Sequence, residues 1–371
     1  MTRPLFADTG FKLGLFAANC SSGMAVTKVP SRWSGSWQDN LRMAKVADEV
    51  GIDFLLPIAR FIGYKGVTNF HESVLEPIPW AAGLLANTEH ISVISTVHSA
   101  FNHPLVTAKQ MVTLDHISNG RAGLNIVAGW NKPEYDAMGS DLPTGHDDRY
   151  EQAQEWFDVI KKTWTTEGSW DHEGRFYNLT GAEGMPKPVD GLLPIINAGS
   201  SPQGRGFAAR NANFGFTIVD GPEDAAQISA EMHKLAREEY DRDLGVITIS
   251  HVVVRETEQE ARDFYRWYGD ENADWDAVDN LMSLMGAHSQ SFTPEMLQVY
   301  RKRFAGGHGS VPLVGTPDQI ALAIKGLSDA GLAGITMAFF NYADELPYFA
   351  STVLPRLEEM GVRRPVAEVR A

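Results

Sequence analysis

The run Gly199-Ser200-Ser201-Pro202 holds the residue types that bind an anion. A glycine turn lets backbone N–H groups approach a ligand. Two serine hydroxyls add donors, and the proline starts a helix whose positive dipole end faces the same point. Arg149-Tyr150, at the start of another helical stretch, offers a cation and a phenol for that anion. Plainer readings exist: Ser201 as a helix N-cap, Arg149 as a solvated charge beside a packed tyrosine. Asn125 stands inside an apolar run, where an amide needs a hydrogen-bond partner. Glu134 follows a turn and reads alone as a surface carboxylate. His251 sits among valines and isoleucines, as an acid or base inside the barrel mouth or as a core or loop-packing histidine. His71 and His103 read as structural histidines. Asp115 and Arg121 are expected to pair around the Asn119-Gly120 turn. The motifs HExxH, GxSxG and GxxxxGK[ST] are missing, which argues against a zinc protease, a serine hydrolase and a P-loop nucleotidase.

These residues fall at the ends of short apolar runs. Eight runs read as strands, over residues 11–17, 54–58, 91–97, 121–127, 194–198, 215–219, 246–254 and 334–340. Helical spacing separates them. In 37–50, Leu41, Ala44 and Ala47 precede a stop at Gly51; in 104–117, Pro104 opens the first turn and Asn119-Gly120 follows the end. Strands separated by helices pair in parallel. Eight such units predict an α/β fold, the (β/α)8 TIM barrel, for which about 250 residues suffice. The chain has 371 residues. The surplus of roughly 120 belongs in βα loops, near 130–150, 165–193 and 270–314, so that residues 1–371 read as one barrel domain. A doubly wound open sheet would want a glycine-rich turn after the first strand, and Ala17-Ala18-Asn19-Cys20 supplies none.

In such a barrel the active site lies at the C-terminal strand ends. That rim collects Ala59-Arg60, His98, Asn102, His103, Asn125, Trp130, Gly199 to Ser201 and His251. Trp33, Trp37, Phe101, Phe339 and Phe340 are expected around it. This mixture suggests a neutral, partly apolar substrate, met by His98, Phe101, His103, Trp130 and Phe340.

Composition narrows the function further. Thirty-two Lys and Arg against 47 Asp and Glu leave a net charge of −15, which disfavours a general grip on nucleic acid. The one cysteine, Cys20, permits neither an internal disulfide nor a cysteine-based zinc cluster. The apolar runs are strand-length and the first residues lack a signal-like stretch, so a cytoplasmic protein with no membrane partner is expected.

Several longer motifs carry a resemblance. The segments 113–130 (TLDHISNGRAGLNIVAGW), 130–139 (WNKPEYDAMG), 146–150 (HDDRY), 197–201 (NAGSS) and 314–317 (VGTP), with Phe176-Tyr177, resemble the bacterial-luciferase-like flavin monooxygenases. The likeness runs from about residue 12 to residue 357. It is strongest for the two-component branch acting on pyrimidines, dimethyl sulfone and alkanesulfonates. The resemblance implies reduced FMN (FMNH2) held by Ala59, Arg60, Asn125, Glu134, Arg149, Tyr150, Gly199, Ser200 and Ser201. It implies O2 as co-substrate and a flavin peroxide that oxygenates a small organic substrate; no metal is expected, because no metal-ligand spacing of His and carboxylates appears. Asn125 would lie near the reactive edge of the flavin, and His251 would donate a proton or touch substrate. A separate NAD(P)H:FMN reductase would supply the flavin, and the enzyme would be a homodimer or homotetramer.

Two departures bear on the substrate. Alkanesulfonate enzymes carry an arginine two residues before the position of His251, where this chain has Ile249; their tyrosine after the last strand is Phe340 here. A sulfonate would lack a charged partner. The 270–314 insertion, with Gly306-Gly307-His308-Gly309 near its end, reads as a mobile lid or a subunit contact. A deazaflavin (F420)-dependent dehydrogenase on the same barrel, or a non-catalytic flavin-binding protein, are the alternative functions.

Overall fold

The computed structural model describes residues 3–142, 146–286 and 294–370. Strands β1 (Lys12–Phe16), β2 (Phe54–Leu56), β3 (Ser92–His98) and β4 (Ala122–Val127) lie side by side in parallel. β5 (Trp170–Glu173) and β6 (Asn178–Ala182) form a separate antiparallel hairpin within the predicted 165–193 insertion. β7 (Ile195–Asn197), β8 (Phe214–Phe216) and β9 (Gly245–Val254) continue the parallel sheet. β10 (Val311–Gly315) and β11 (Gly334–Ala338) both pair with β9, and β8 also pairs with β9. Eight parallel strands therefore close into a (β/α)8 barrel, as predicted, with β10 as an addition. β11 occupies one edge of β9 over residues 247–251, while β8 and then β10 share the other.

The local signals explain the elements. Helix Trp37–Val50 starts at Ser36, whose hydroxyl accepts from the Asp39 N–H, and stops at Gly51 with φ +83°. Helix Pro77–Leu85 begins where the Glu76 carboxylate accepts the Ile78 N–H and proline suits the first turn. Inside the barrel, small and large residues alternate. A Cβ on Gly14 would lie 2.5 Å from the Phe54 ring, and one on Gly123 would lie 2.5 Å from Ile94 Cδ1. Leu5, from the N-terminal segment, packs with Phe54, Ile94, Ile196 and Ile247 and fills the lower barrel. Burying each such side chain is worth about 1.5–3 kcal/mol. The C-terminal end of the barrel stays open above this floor.

The expected Asp115–Arg121 pair does not form. Asp115 pairs with Arg3 at 2.6 Å and accepts the Val189 N–H. Arg121 donates to the backbone carbonyls of Leu85, Thr88, Ile91 and Ser118. The N-terminal segment brings in a competing cation that sequence neighbourhood could not reveal.

The 130–150 loop contains helix Lys132–Ala137, and helix His146–Thr165 starts before Tyr150; residues 143–145 lie outside the described residues. The 270–314 insertion contains helices Trp275–Leu284 and Pro294–Gly307 before β10. Its Ala277, Val278, Leu281 and Phe304 share an apolar cluster with Tyr64 and Phe70. Residues 287–293 of that insertion lie outside the described residues. No helix among the described residues is long and apolar enough to cross a membrane.

Candidate active site

A cavity of about 640 Å³ opens at the C-terminal strand ends. Strand alternation aims Phe16, Leu56, Thr96, Asn125, Phe216 and Ile249 into it. Above them, two regions supply most of the polar wall: residues 199–201 with Arg149 and Tyr150, and Arg60 with His308. A smaller cavity of about 280 Å³ lies at the opposite barrel end, beside Asp53 and Arg363. Those two charges pair with one another there.

The first region is built by helix Pro202–Asn211. Ser201 caps it, its Oγ accepting the Gly204 N–H at 3.1 Å, so both readings of this serine hold at once: it caps the helix and lines the cavity. Other N–H groups of the first turn lack intrahelical partners, and the helix dipole adds positive potential. A Cβ on Gly199 would lie 2.6 Å from Gly204 Cα and 2.3 Å from the Tyr150 hydroxyl, so only glycine allows this close turn. Asn197 fixes the turn by accepting the Gly199 N–H at 3.1 Å and donating to Ile126 O at 2.8 Å. Burial pushes the Tyr150 phenol up, against the opposing pull of Arg149 and a hydrogen bond with Ser201, which keeps it a hydroxyl. Arg149 Nη1 donates to Gly129 O at 2.9 Å, while its buried Nε finds no partner among the described residues. It also pairs with no carboxylate among them. Its positive charge is available to a ligand.

Asn125 is held by a short chain of hydrogen bonds. Thr96 Oγ1 donates its one proton to Pro57 O at 2.6 Å. It can therefore only accept from Asn125, whose Nδ2 lies 3.1 Å away. That fixes the amide: Asn125 Oδ1 is left as a buried acceptor without a partner among the described residues.

In the second region, Arg60 Nη1 lies 3.0 Å from Glu134 Oε2, with the two side chains 7% and 2% exposed. The N–H direction is poor for a hydrogen bond, so Nη1 and Nε are both unpartnered in that sense. Glu134 also accepts the Phe61 N–H at 2.9 Å. The guanidinium stacks over Tyr64 at 5.0 Å and Trp130 at 5.4 Å. His98 and His308 line the cavity here. Burial first, then the nearby Arg60 charge, pushes both imidazoles down to about 3, so both are neutral.

The structure thus gathers Ala59, Arg60, His98, Asn125, Trp130, Arg149, Tyr150, Gly199, Ser200 and Ser201 around one cavity. Glu134 stands behind Arg60 rather than in the wall. The other expected residues fall elsewhere. His251 faces the same way as Ile249 but is fully buried beneath Gly307, where a Cβ would lie 2.7 Å from His251 Cβ. Its two ring nitrogens have no partner among the described residues, and burial pushes its pKa down to about 3. Phe101 is half-buried against Tyr135 at 4.7 Å and His98 at 5.4 Å, next to the cavity but outside its lining. His103 caps helix Pro104–Ser118 at the surface, accepting the Leu105 N–H. Phe340 is buried among Phe264, Trp267 and Tyr268. Trp33 packs edge-on against Tyr342 at 5.0 Å, Phe339 against Tyr342 and Phe349, and Trp37 over Gly83. These aromatics belong to the core because neighbouring rings and helices cover them.

Thr96, Asn197 and His308 were not singled out as site residues. Thr96 and His98 share one face of β3 by period-two alternation, a signal present in the sequence. His308 reaches the wall with φ +54°, a backbone state no local pattern announced for a histidine.

Comparison with known proteins places this barrel and its cavity in a class. The chain belongs to the luciferase-like monooxygenase family, whose profile matches residues 11–334. It is therefore a flavin-dependent monooxygenase by class. The FMNH2-dependent dimethylsulfone monooxygenase of Pseudomonas putida is 32% identical over 368 residues, covering 96% of this chain and 98% of that one. The pyrimidine monooxygenase RutA of Acinetobacter baylyi is 28% identical over 352 residues, covering 93% and 94%. A crystal structure of riboflavin lyase (RcaE) with modified FMN and riboflavin superposes with a TM-score of 0.85 at 22% identity, covering 96% and 93%; it supports the fold.

Proposed function

We propose that this protein is the oxygenase of a two-component system. It takes reduced FMN from a separate NAD(P)H:FMN reductase, uses O2, and oxygenates a small organic substrate such as a sulfone, another organosulfur compound or a pyrimidine-like heterocycle. One observation carries this reading: a single cavity joins a guanidinium that meets no carboxylate among the described residues, at a helix N-terminus, to a fixed amide acceptor at the barrel mouth. The residues fit FMN. Its phosphate matches the charge and N–H groups at Arg149 and 199–201, and its ring matches the apolar strand ends. A volume of about 640 Å³ suits a cofactor with a small second molecule. Bound reduced flavin supplies the two electrons that activate O2.

The chain's own residues bind, orient and exclude water. Arg149, Tyr150, Ser200 and Ser201 would hold the phosphate, with Gly199 allowing close approach. Asn125 Oδ1 would accept from a ring N–H of the reduced flavin, its direction set by Thr96 and Pro57. Leu56, Phe216 and Ile249 keep the reaction volume apolar. Ala59 and Arg60 would border the ring, with Glu134 positioning Arg60. His251, shielded by Gly307, would act by holding the 307–308 turn rather than by touching substrate. The same reading has the chain working as one barrel domain in the cytoplasm, assembled as a homodimer or homotetramer, which light scattering would measure.

The direct test is an anaerobic titration with FMNH2, followed by addition of air with small sulfones or pyrimidines and mass spectrometry. The reading expects flavin binding and a product that gains oxygen, or fragments of it. Failure to bind FMNH2, or tighter binding of reduced F420 without oxygen uptake, would overturn it.

A further inference from the structure

The second cavity region holds more unpartnered polar atoms than a packed wall needs. Arg60 Nε and Nη1, Tyr64 Oη, His71 Nδ1 and His308 Nε2 are all buried and lack a hydrogen-bond partner among the described residues. They lie together. Arg60 is 5.0 Å from the Tyr64 ring, Tyr64 is 5.9 Å from His71 and 6.3 Å from His308, and His71 is 6.0 Å from His308. Buried polar atoms are nearly always satisfied, so such a cluster points to something that satisfies them. Arg60 and His308 reach the cavity; Tyr64 and His71 stand behind them.

The chemistry of the cluster is readable. His71 Nε2 lies 2.6 Å from Gly23 O, a pure acceptor, so Nε2 carries the proton. Burial pushes His71 well down, which leaves Nδ1 a lone pair in a neutral ring. His98 and His308 are neutral as well. Among the described residues of this region Arg60 is the one cation, and Glu134 balances it at 3.0 Å. Arg60 therefore offers N–H donors and His71 Nδ1 an acceptor, and the described residues of this region carry no net charge. An anion brought here would lose its hydration against no surplus cation. Met24, Trp130, Leu284 and Met285 add apolar surface around the same space.

We infer that Arg60 and His308, backed by Tyr64 and His71, form the substrate subsite, and that it takes a small uncharged molecule by a hydrogen-bond-accepting oxygen. A sulfone oxygen and a pyrimidine carbonyl share that chemistry; a sulfonate, which adds a charge, is rejected. This inference rests on the flavin reading, since the phosphate region is otherwise a second place for a polar ligand.

The test uses the whole protein saturated with FMNH2 without oxygen, so nothing turns over. Dimethyl sulfone, uracil and methanesulfonate are titrated separately by calorimetry. Methanesulfonate matches dimethyl sulfone in size and differs in charge. At least one neutral probe binds, and methanesulfonate binds at least about tenfold more weakly; whichever neutral probe binds names the source. His308→Asn, chosen because asparagine tolerates the positive φ, weakens the neutral probe about two- to tenfold, the worth of one hydrogen bond, with FMNH2 affinity unchanged. Tyr64→Phe, which removes only a hydroxyl without a partner among the described residues, keeps the fold and weakens the neutral probe less.

Methanesulfonate binding as tightly as the neutral probes would overturn the inference. So would probe affinity unmoved in both variants, or no neutral probe binding to protein that does bind FMNH2. Failure to bind FMNH2 at all would instead overturn the flavin reading, so the two failures are distinct.

Discussion

Two buried arginines line one cavity and have opposite electrical roles. Arg149 spends one N–H on a backbone carbonyl and meets no carboxylate among the described residues, so its charge faces outward to a ligand. Arg60 meets Glu134 at 3.0 Å and lies over two aromatic rings, so its charge is spent within the protein. Residue type alone would give both the same task. The neighbouring carboxylate decides which end of the cavity attracts an anion and which end only donates hydrogen bonds.

The largest expected effect comes from removing that carboxylate. Glu134→Gln leaves Arg60 buried and uncompensated, which should lower stability by about 3–5 kcal/mol in denaturant titration. The variant that remains folded should gain affinity for methanesulfonate, making the second region resemble the first. Unchanged stability would mean Glu134 does not neutralise Arg60.

Arg149→Ala should lower affinity for FMNH2 about 10- to 150-fold, from the loss of a charge-assisted contact worth about 1.5–3 kcal/mol. It should cost far less stability than Glu134→Gln, because no partner carboxylate among the described residues is stranded. A comparable stability loss would erase the contrast between the two arginines.

The neutral histidines give a pH prediction. In the unfolded chain an imidazole takes up a proton near 6.5, while His98, His251 and His308 resist protonation to about 3 in the fold. Between those values the unfolded state binds more protons. Stability should therefore fall as pH drops from about 6.5, by about 1 kcal/mol per pH unit for each such histidine. Urea titrations at pH 7 and pH 5.5 check this. Equal stability at both would show that these rings are charged or exposed.

A smaller effect is expected at the cavity floor. Asn125→Leu should weaken FMNH2 binding about two- to tenfold, the worth of the one hydrogen bond that its Oδ1 would accept from the flavin ring. Unchanged FMNH2 affinity would remove Asn125 from the flavin contacts.

Much of this site could be read from the sequence because its signals are local. The 199–202 run sits at a strand-to-helix turn, and both its capping role and its place in the wall follow from that position. Asn125 stood out as an amide within an apolar strand, and its hydrogen-bond task is now visible in Thr96. The eight alternations likewise announced the barrel. What escaped depends on residues far apart in the chain. Arg60 and His308 meet only because the 270–314 insertion packs against Tyr64 and Phe70. Asp115 chose Arg3 over Arg121, its sequence neighbour. Phe340 and Trp33 were expected at the rim, but an aromatic after a strand reads alike whether neighbours cover it or not.

The central claim is that Arg149 and the 199–201 turn hold the phosphate of reduced FMN. Anaerobic titration of the native protein and Arg149→Ala with FMNH2 and with reduced riboflavin, which lacks the phosphate, tests it most directly. The account predicts that the native protein binds FMNH2 at least about tenfold more tightly than reduced riboflavin, and that most of this difference disappears in Arg149→Ala. Equal affinity for the two flavins in the native protein, or a preference that survives the substitution intact, would contradict it.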